Sequence, residues 1–145
     1  MDENLELLEY IYKSAEMGVF SCTKLIQEIN GKENKIKKVI EGILKGYENF
    51  VKDSKIMFKK YKYDLKGSTM MAKISSSMGI KMEVKKDNSD SAIAKLLTQG
   101  LTMGCVDIAS KIDRYEHDAE SKIIKKSKEY LKFQKESIDV LKKYL

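Results

Sequence analysis

The sequence predicts an all-α chain: a four-helix bundle of two antiparallel helical hairpins joined by a long, partly helical connection. Three observations carry this reading. Apolar residues recur at alternating spacings of three and four over long segments, the signature of one buried helix face. No proline interrupts any of the 145 residues. A very short turn at Asn30-Gly31 contrasts with a long central stretch, so the first two helices must fold back on each other while the second pair is reached by a longer path.

The first segment places Leu5, Leu8, Tyr12, Ala15, Val19, Cys22, Ile26 and Ile29 on one stripe, widened by Ile11 and Leu25. Gly31 is free to take a positive φ and end the helix. The second segment repeats the pattern with Ile36, Ile40, Ile43, Tyr47, Phe50, Ser54, Met57 and Tyr61, runs to about Asp64-Leu65, and breaks near Gly67-Ser68. Residues 67–89 read as a short helix with Met70, Met71, Ile74 and Met78 on one side. Gly79 ends it, and an alternating stretch with Met82 follows; the methionines are expected to plug the bundle's open seam. Asp and Ser residues near Ser89 to Ser91 offer N-caps. The third bundle helix is expected over about Ser91 to Asp113, with Ala94, Leu97, Leu101, Gly104 and Ile108 inward. Gly100 and Gly104 imply a close helix approach there. The fourth is expected from about Tyr115 to the end, its inner line His117, Ile124, Leu131, Ile138 and Leu145, with Ile123, Tyr130 and Leu141 beside it.

Charge is uneven. Residues 1–31 carry net −4 and residues 32–66 net +6, within a chain of net +6. An acidic first helix beside a basic second one predicts complementary packing inside the bundle. No apolar run approaches the roughly 20 residues of a membrane span. The acidic opening MDENLELLEY lacks the basic and apolar regions of a signal peptide. Two distant cysteines without a CxxC pattern fit a reduced, cytoplasmic setting. One domain over residues 1–145 is expected.

Two hairpins joined by an end-to-end crossover resemble the ferritin-like bundle superfamily. The resemblance covers essentially the whole chain and is one of architecture. That family's di-iron signature needs a Glu on each of two helices and Glu-x-x-His on the other two. Here Glu48-Asn49-Phe50-Val51 ends in valine, Glu41-Gly42-Ile43-Leu44 ends in leucine, and Arg114-Tyr115-Glu116-His117 begins with arginine. The chain therefore resembles a member lacking the di-iron ligand motifs.

The sharpest candidate site is His117 with Glu120, three apart and hence on one helix face. If the connection is a crossover, the last helix runs parallel to the first, bringing Glu9 or Glu16 to a similar level, with Asp107 from the third. One imidazole and several carboxylates could hold iron, manganese or zinc; the ordinary alternative is a solvated bundle end and no cofactor. Lys55, Lys59, Lys60, Lys62 and Lys66 around Tyr61 and Tyr63 are where a nucleic acid would bind. With a single arginine in the chain, base readout is not expected. Cys22 on the first stripe reads as an inert core residue. Polar residues on the stripes (Ser54, Ser127, Gln134) point to a further covered surface and hence to a homodimer. The expected function is a non-enzymatic interaction or structural protein that binds itself or a protein partner.

Overall fold

The computed structural model describes residues 2–64 and 70–145, with the side chains of 70–72 and 74–77 outside the described set. Among the described residues it is all-helical: α1 Glu3–Glu28, α2 Lys37–Lys60, α3 Met70–Lys86, α4 Asp90–Tyr115, α5 Ser121–Leu141, and a closing 3-10 turn Lys142–Tyr144. No helix is long and apolar enough to cross a membrane, among the described residues.

Contacts between side chains give the helix directions. Tyr12 meets Phe58, and Gly18 meets Tyr47, so α1 and α2 are antiparallel. Tyr10 bonds Asp107 while Glu6 pairs with Lys111, so α4 also runs against α1. Asn4 accepts from the Glu120 N–H and Ser14 meets Tyr130, so α5 runs with α1. Consequently α2 and α4 point the same way, and the chain between them travels from one end of the molecule to the other. The far end is clasped by Asn34, whose side-chain amide donates to the Asn88 carbonyl and to Asp90, both at 2.8 Å.

The stripes read from sequence on α1, α2 and α4 form the core. Leu8, Ile11, Ala15, Cys22, Leu25 and Ile29 are buried on α1; Ile36, Ile40, Ile43, Tyr47, Ser54 and Phe58 in and before α2; Ala94, Leu97, Leu101, Gly104 and Ile108 on α4. Gly104 is where close approach matters. A Cβ there would lie 2.1 Å from Gln134 Nε2, so only glycine leaves room for the α5 side chain.

Several expectations are corrected. The second helix ends at Lys60, because Lys62 adopts φ 58° and the chain closes with a Lys62 N–H to Lys59 carbonyl bond and a Tyr63 N–H to Phe58 carbonyl bond. That is a Schellman-type cap; no glycine marks it, and the break foreseen at Gly67-Ser68 lies outside the described residues. Gly79 does not end α3. The helix continues to Lys86 and buries Ile80 and Val84, four apart, while Met78 and Met82 face solvent and do not fill a seam. Met70, Met71 and Ile74 carry side chains outside the described set. On α5 Ile123, Ile124, Ser127, Tyr130, Gln134, Ser137 and Leu141 are buried, while Leu131 and Ile138 are half-buried and Leu145 is 57% exposed, so Ile124 lies inward as expected and the rest of the inner face is rotated toward Ile123, Tyr130 and Leu141. Two of its serines satisfy their hydroxyls on the preceding turn: Ser127 bonds the Ile123 carbonyl and Ser137 the Phe133 carbonyl, each at 2.8 Å. Ser54, Ser127 and Gln134 are thus buried within the chain and mark no outer surface. Among the described residues, acids of α1 form ion pairs with α3 and α4, Glu16–Lys73 and Glu6–Lys111, and α2 sends Asp53 to Lys126 of α5.

Candidate functional site

The residues singled out as metal ligands lie on different elements and at different levels. His117 and Glu120 fall in the turn between α4 and α5 and are exposed, because the Tyr115 carbonyl accepts from the Asp118 and Ala119 N–H groups and closes α4 before them. This corrects the expectation that an early-starting last helix turns them inward. Glu120 caps α5 and accepts a hydrogen bond from the Tyr61 hydroxyl, while its own N–H donates to Asn4 Oδ1 at 2.7 Å. That fixes Glu120 at the level of Asn4. Glu16 is twelve residues further along α1, about 18 Å at 1.5 Å per residue. Glu16 pairs with Lys73, Glu9 with Lys13, and Asp107 accepts from Tyr10 at 3.4 Å. Among the described residues no group of three or more His, Cys, Asp or Glu side chains could hold a metal ion.

The end of the bundle nearest these residues is instead a polar clasp. Tyr61 and Tyr63 stack at 5.8 Å and send their hydroxyls to Glu120 and to Asp2, the latter at 2.9 Å. The Glu120 carboxylate raises the Tyr61 hydroxyl to about 12, with burial adding to it, and the Tyr63 hydroxyl holds the Asp2 carboxyl below its ordinary range. Glu6 behaves alike: Tyr115 first and then Lys111 hold its carboxyl down. The tyrosines of the lysine-rich stretch therefore tie three helix ends together. Cys22 is fully buried, and burial pushes its thiol up to about 12. Cys105, half-buried, is also raised by burial, the opposite of what a nucleophile needs.

A surface feature remains that the sequence reading passed over. The outer side of α4 carries a second stripe, Lys95, Gln99, Thr102, Val106, Ala109 and Asp113, at spacings of four, three, four, three and four, and every member is exposed. Met103 flanks it, 69% exposed, and Val106 is 64% exposed. In a chain that is 34% charged, residues 96–110 hold a single charge, Asp107, which bonds to Tyr10 of α1. Leu145 lies beside Thr102 and Met103 across a shallow groove. This helix face is thus exposed, uncharged and partly apolar between a cation at one end and an anion at the other.

No family model, no curated protein and no solved structure matches this chain.

Proposed function

We propose that this chain is a ferritin-like four-helix bundle, with α3 as its crossover, that works as a non-enzymatic interaction protein by pairing α4 with α4 of a second copy. The single observation that carries the reading is the symmetry of the outer stripe. Lys95 and Asp113, Gln99 and Ala109, and Thr102 and Val106 are each equidistant from position 104. Two copies laid antiparallel about that point place Lys95 opposite Asp113 of the second copy, twice, with Val106 and Met103 at the centre. Such a two-fold contact is isologous, the commonest form of self-association, and the stripe spans about 27 Å. The helix directions support the ferritin-like reading, since α2 and α4 are parallel and α5 runs with α1. Two free thiols accord with a cytoplasmic setting.

The test is the concentration dependence of mass by sedimentation velocity. The wild type is expected to dimerise, and Val106→Lys to weaken the dimer at least tenfold. Lys95→Asp and Asp113→Lys each set like charges opposite one another. Exposed pairs contribute about 0.2–1 kcal/mol apiece, so two symmetric pairs give roughly a twofold to thirtyfold loss. The double swap Lys95→Asp/Asp113→Lys restores both pairs and is expected to recover the wild-type dimer. A chain that stays monomeric at high concentration refutes self-association, and a double swap as weak as the single changes refutes the antiparallel register.

A further inference from the structure

The outward line of α2 changes character along its length. As far as Glu48 it alternates in sign, with Glu41 and Glu48 set between lysines; beyond that it carries Lys52, Lys55 and Lys59 and no acid. All three are exposed, and the exposed Lys60 and Lys62 extend the patch past the helix end. The one acid of residues 52–62, Asp53, is already paired with Lys126 of α5. Among the described residues no lysine of α2 forms an ion pair, whereas Lys126, Lys128 and Lys132 of α5 do. In the middle of these ammonium groups Ile56 is 58% exposed, about one turn from Lys52, Lys59 and Lys60.

Stability of the helices does not account for this cluster. Cations favour a helix C-terminus only within its last turn, and Lys52 and Lys55 lie before that turn of α2. Lys122 is set against its own helix: it stands in the first turn of α5, which has no acid, where a cation is unfavourable. Its ammonium group is within hydrogen-bond reach of Lys60 and holds Lys60 below its ordinary value. An anion that meets both groups removes their repulsion. The partner that fits is therefore anionic, and Ile56 requires it to be apolar in part. Nucleic acid fits less well. Tyr61 and Tyr63 stack on each other and spend their hydroxyls on Glu120 and Asp2, so their rings serve the clasp and not a stacked base. A phosphate backbone also offers nothing to an isoleucine, whereas a bilayer surface presents phosphates with an apolar layer just beneath them.

We propose that the face formed by residues 52–62, joined by Lys122 of α5, docks on a membrane surface of anionic lipid, with Ile56 entering the headgroup layer. The face lies on a different helix from the outer stripe of α4 and does not depend on self-association. Each lysine at an anionic surface is worth about fivefold in affinity, so removing three costs about a hundredfold.

The experiment is co-sedimentation of the full chain with vesicles of phosphatidylcholine alone and of phosphatidylcholine mixed equally with phosphatidylglycerol. The wild type should bind the anionic vesicles at least about tenfold more tightly, and less so as salt is raised. Lys52→Gln/Lys55→Gln/Lys59→Gln should lose about a hundredfold. Lys81, Lys85 and Lys143 are exposed elsewhere, and Lys81→Gln/Lys85→Gln/Lys143→Gln, of the same net charge, should stay within about threefold of the wild type. Far-ultraviolet circular dichroism checks that both triple variants remain helical. The chain has no tryptophan, so emission of the Ile56→Trp variant reports on that one position and should shift to the blue on anionic vesicles. Absence of binding to the anionic vesicles overturns the proposal, as does an equal loss in the two triple variants, which assigns binding to net charge alone. Unshifted emission overturns the entry of Ile56, and tighter binding to a single-stranded oligonucleotide than to the vesicles overturns the choice of lipid over nucleic acid.

Discussion

Two glycines one turn apart on α2 should respond differently to the same substitution. At Gly42 a Cβ meets nothing within 4 Å. Alanine there removes backbone freedom from the unfolded chain and gains helix propensity, about 1 kcal/mol. At Gly46 the same Cβ would sit 2.1 Å from Phe133 Cε1 and 2.8 Å from Cζ. Phe133 cannot yield freely, because its ring meets Tyr47 edge-on at 5.0 Å and Phe50 at 5.4 Å. Moving it disturbs two aromatic contacts of about 0.5–1.5 kcal/mol each, within the usual overpacking range of about 1–3 kcal/mol. Set against the propensity gain, Gly46→Ala should be neutral to about 2 kcal/mol destabilising, and Gly42→Ala about 1 kcal/mol stabilising. Urea denaturation followed by far-ultraviolet circular dichroism measures both. A third variant isolates the cause: in a Phe133→Ala background, Gly46→Ala should regain the stabilisation seen at Gly42. If Gly46→Ala stabilises as much as Gly42→Ala in the otherwise native chain, α2 and α5 do not approach as described.

Other outcomes follow from single features. Lys62 holds a left-handed backbone that disfavours any side chain, so Lys62→Gly should raise stability by about 1 kcal/mol in the same urea assay. Ser54 is fully buried with its hydroxyl unpaired among the described residues; Ser54→Ala should stabilise by about 1 kcal/mol, and a loss of stability would reveal a partner for that hydroxyl. The carboxyls of Glu6 and Asp2 are held below their ordinary values of 4.5 and 3.8. A depressed carboxyl contributes stability that is complete above the unfolded value and is lost as pH falls through the folded one. Unfolding free energy should therefore decline below about pH 4.5, and Glu6→Gln should flatten that decline. Elemental analysis of protein purified without chelator should find no stoichiometric metal, and His117→Ala should change stability by less than about 0.5 kcal/mol, as for an exposed side chain.

Much of the fold was legible because apolar spacing records burial directly. The stripes on α1, α2 and α4 needed only the helical period, and Ser89 is the cap of α4, as expected. The last helix was harder. It offers an apolar line through Ile124, Leu131 and Ile138 and a mixed one through Ser127, Gln134 and Ser137, and beyond Ile124 the mixed line is the more deeply buried. Local carbonyls absorb the serine hydroxyls, and composition cannot show that. The end of α2 was hidden because a lysine occupies the left-handed position that glycine usually marks. The turn at 116–120 carries neither glycine nor proline, so His117 and Glu120 read as helical and inward. The outer stripe of α4 was present in the letters but weak, since threonine, glutamine and alanine carry little hydrophobic signal. Gln134 was legible as a polar residue on the stripe, but not the reason it is covered, which is the room that Gly104 of the same chain leaves for it.

The clasps at the two ends of the molecule answer a question that the core leaves open. A stripe repeating every seven residues looks nearly the same after one helix slides past its neighbour by a heptad, about 10 Å. Leucine and isoleucine would find equivalent holes in either alignment. Hydrogen bonds from Asn34 to Asn88 and Asp90 at one end, and the Asn4, Glu120, Tyr61 and Asp2 contacts at the other, exist in one alignment only. These few exposed polar groups break the translational ambiguity of a repetitive interior. They make the bundle a structure of one length and one phase, like a ruler read from its ends.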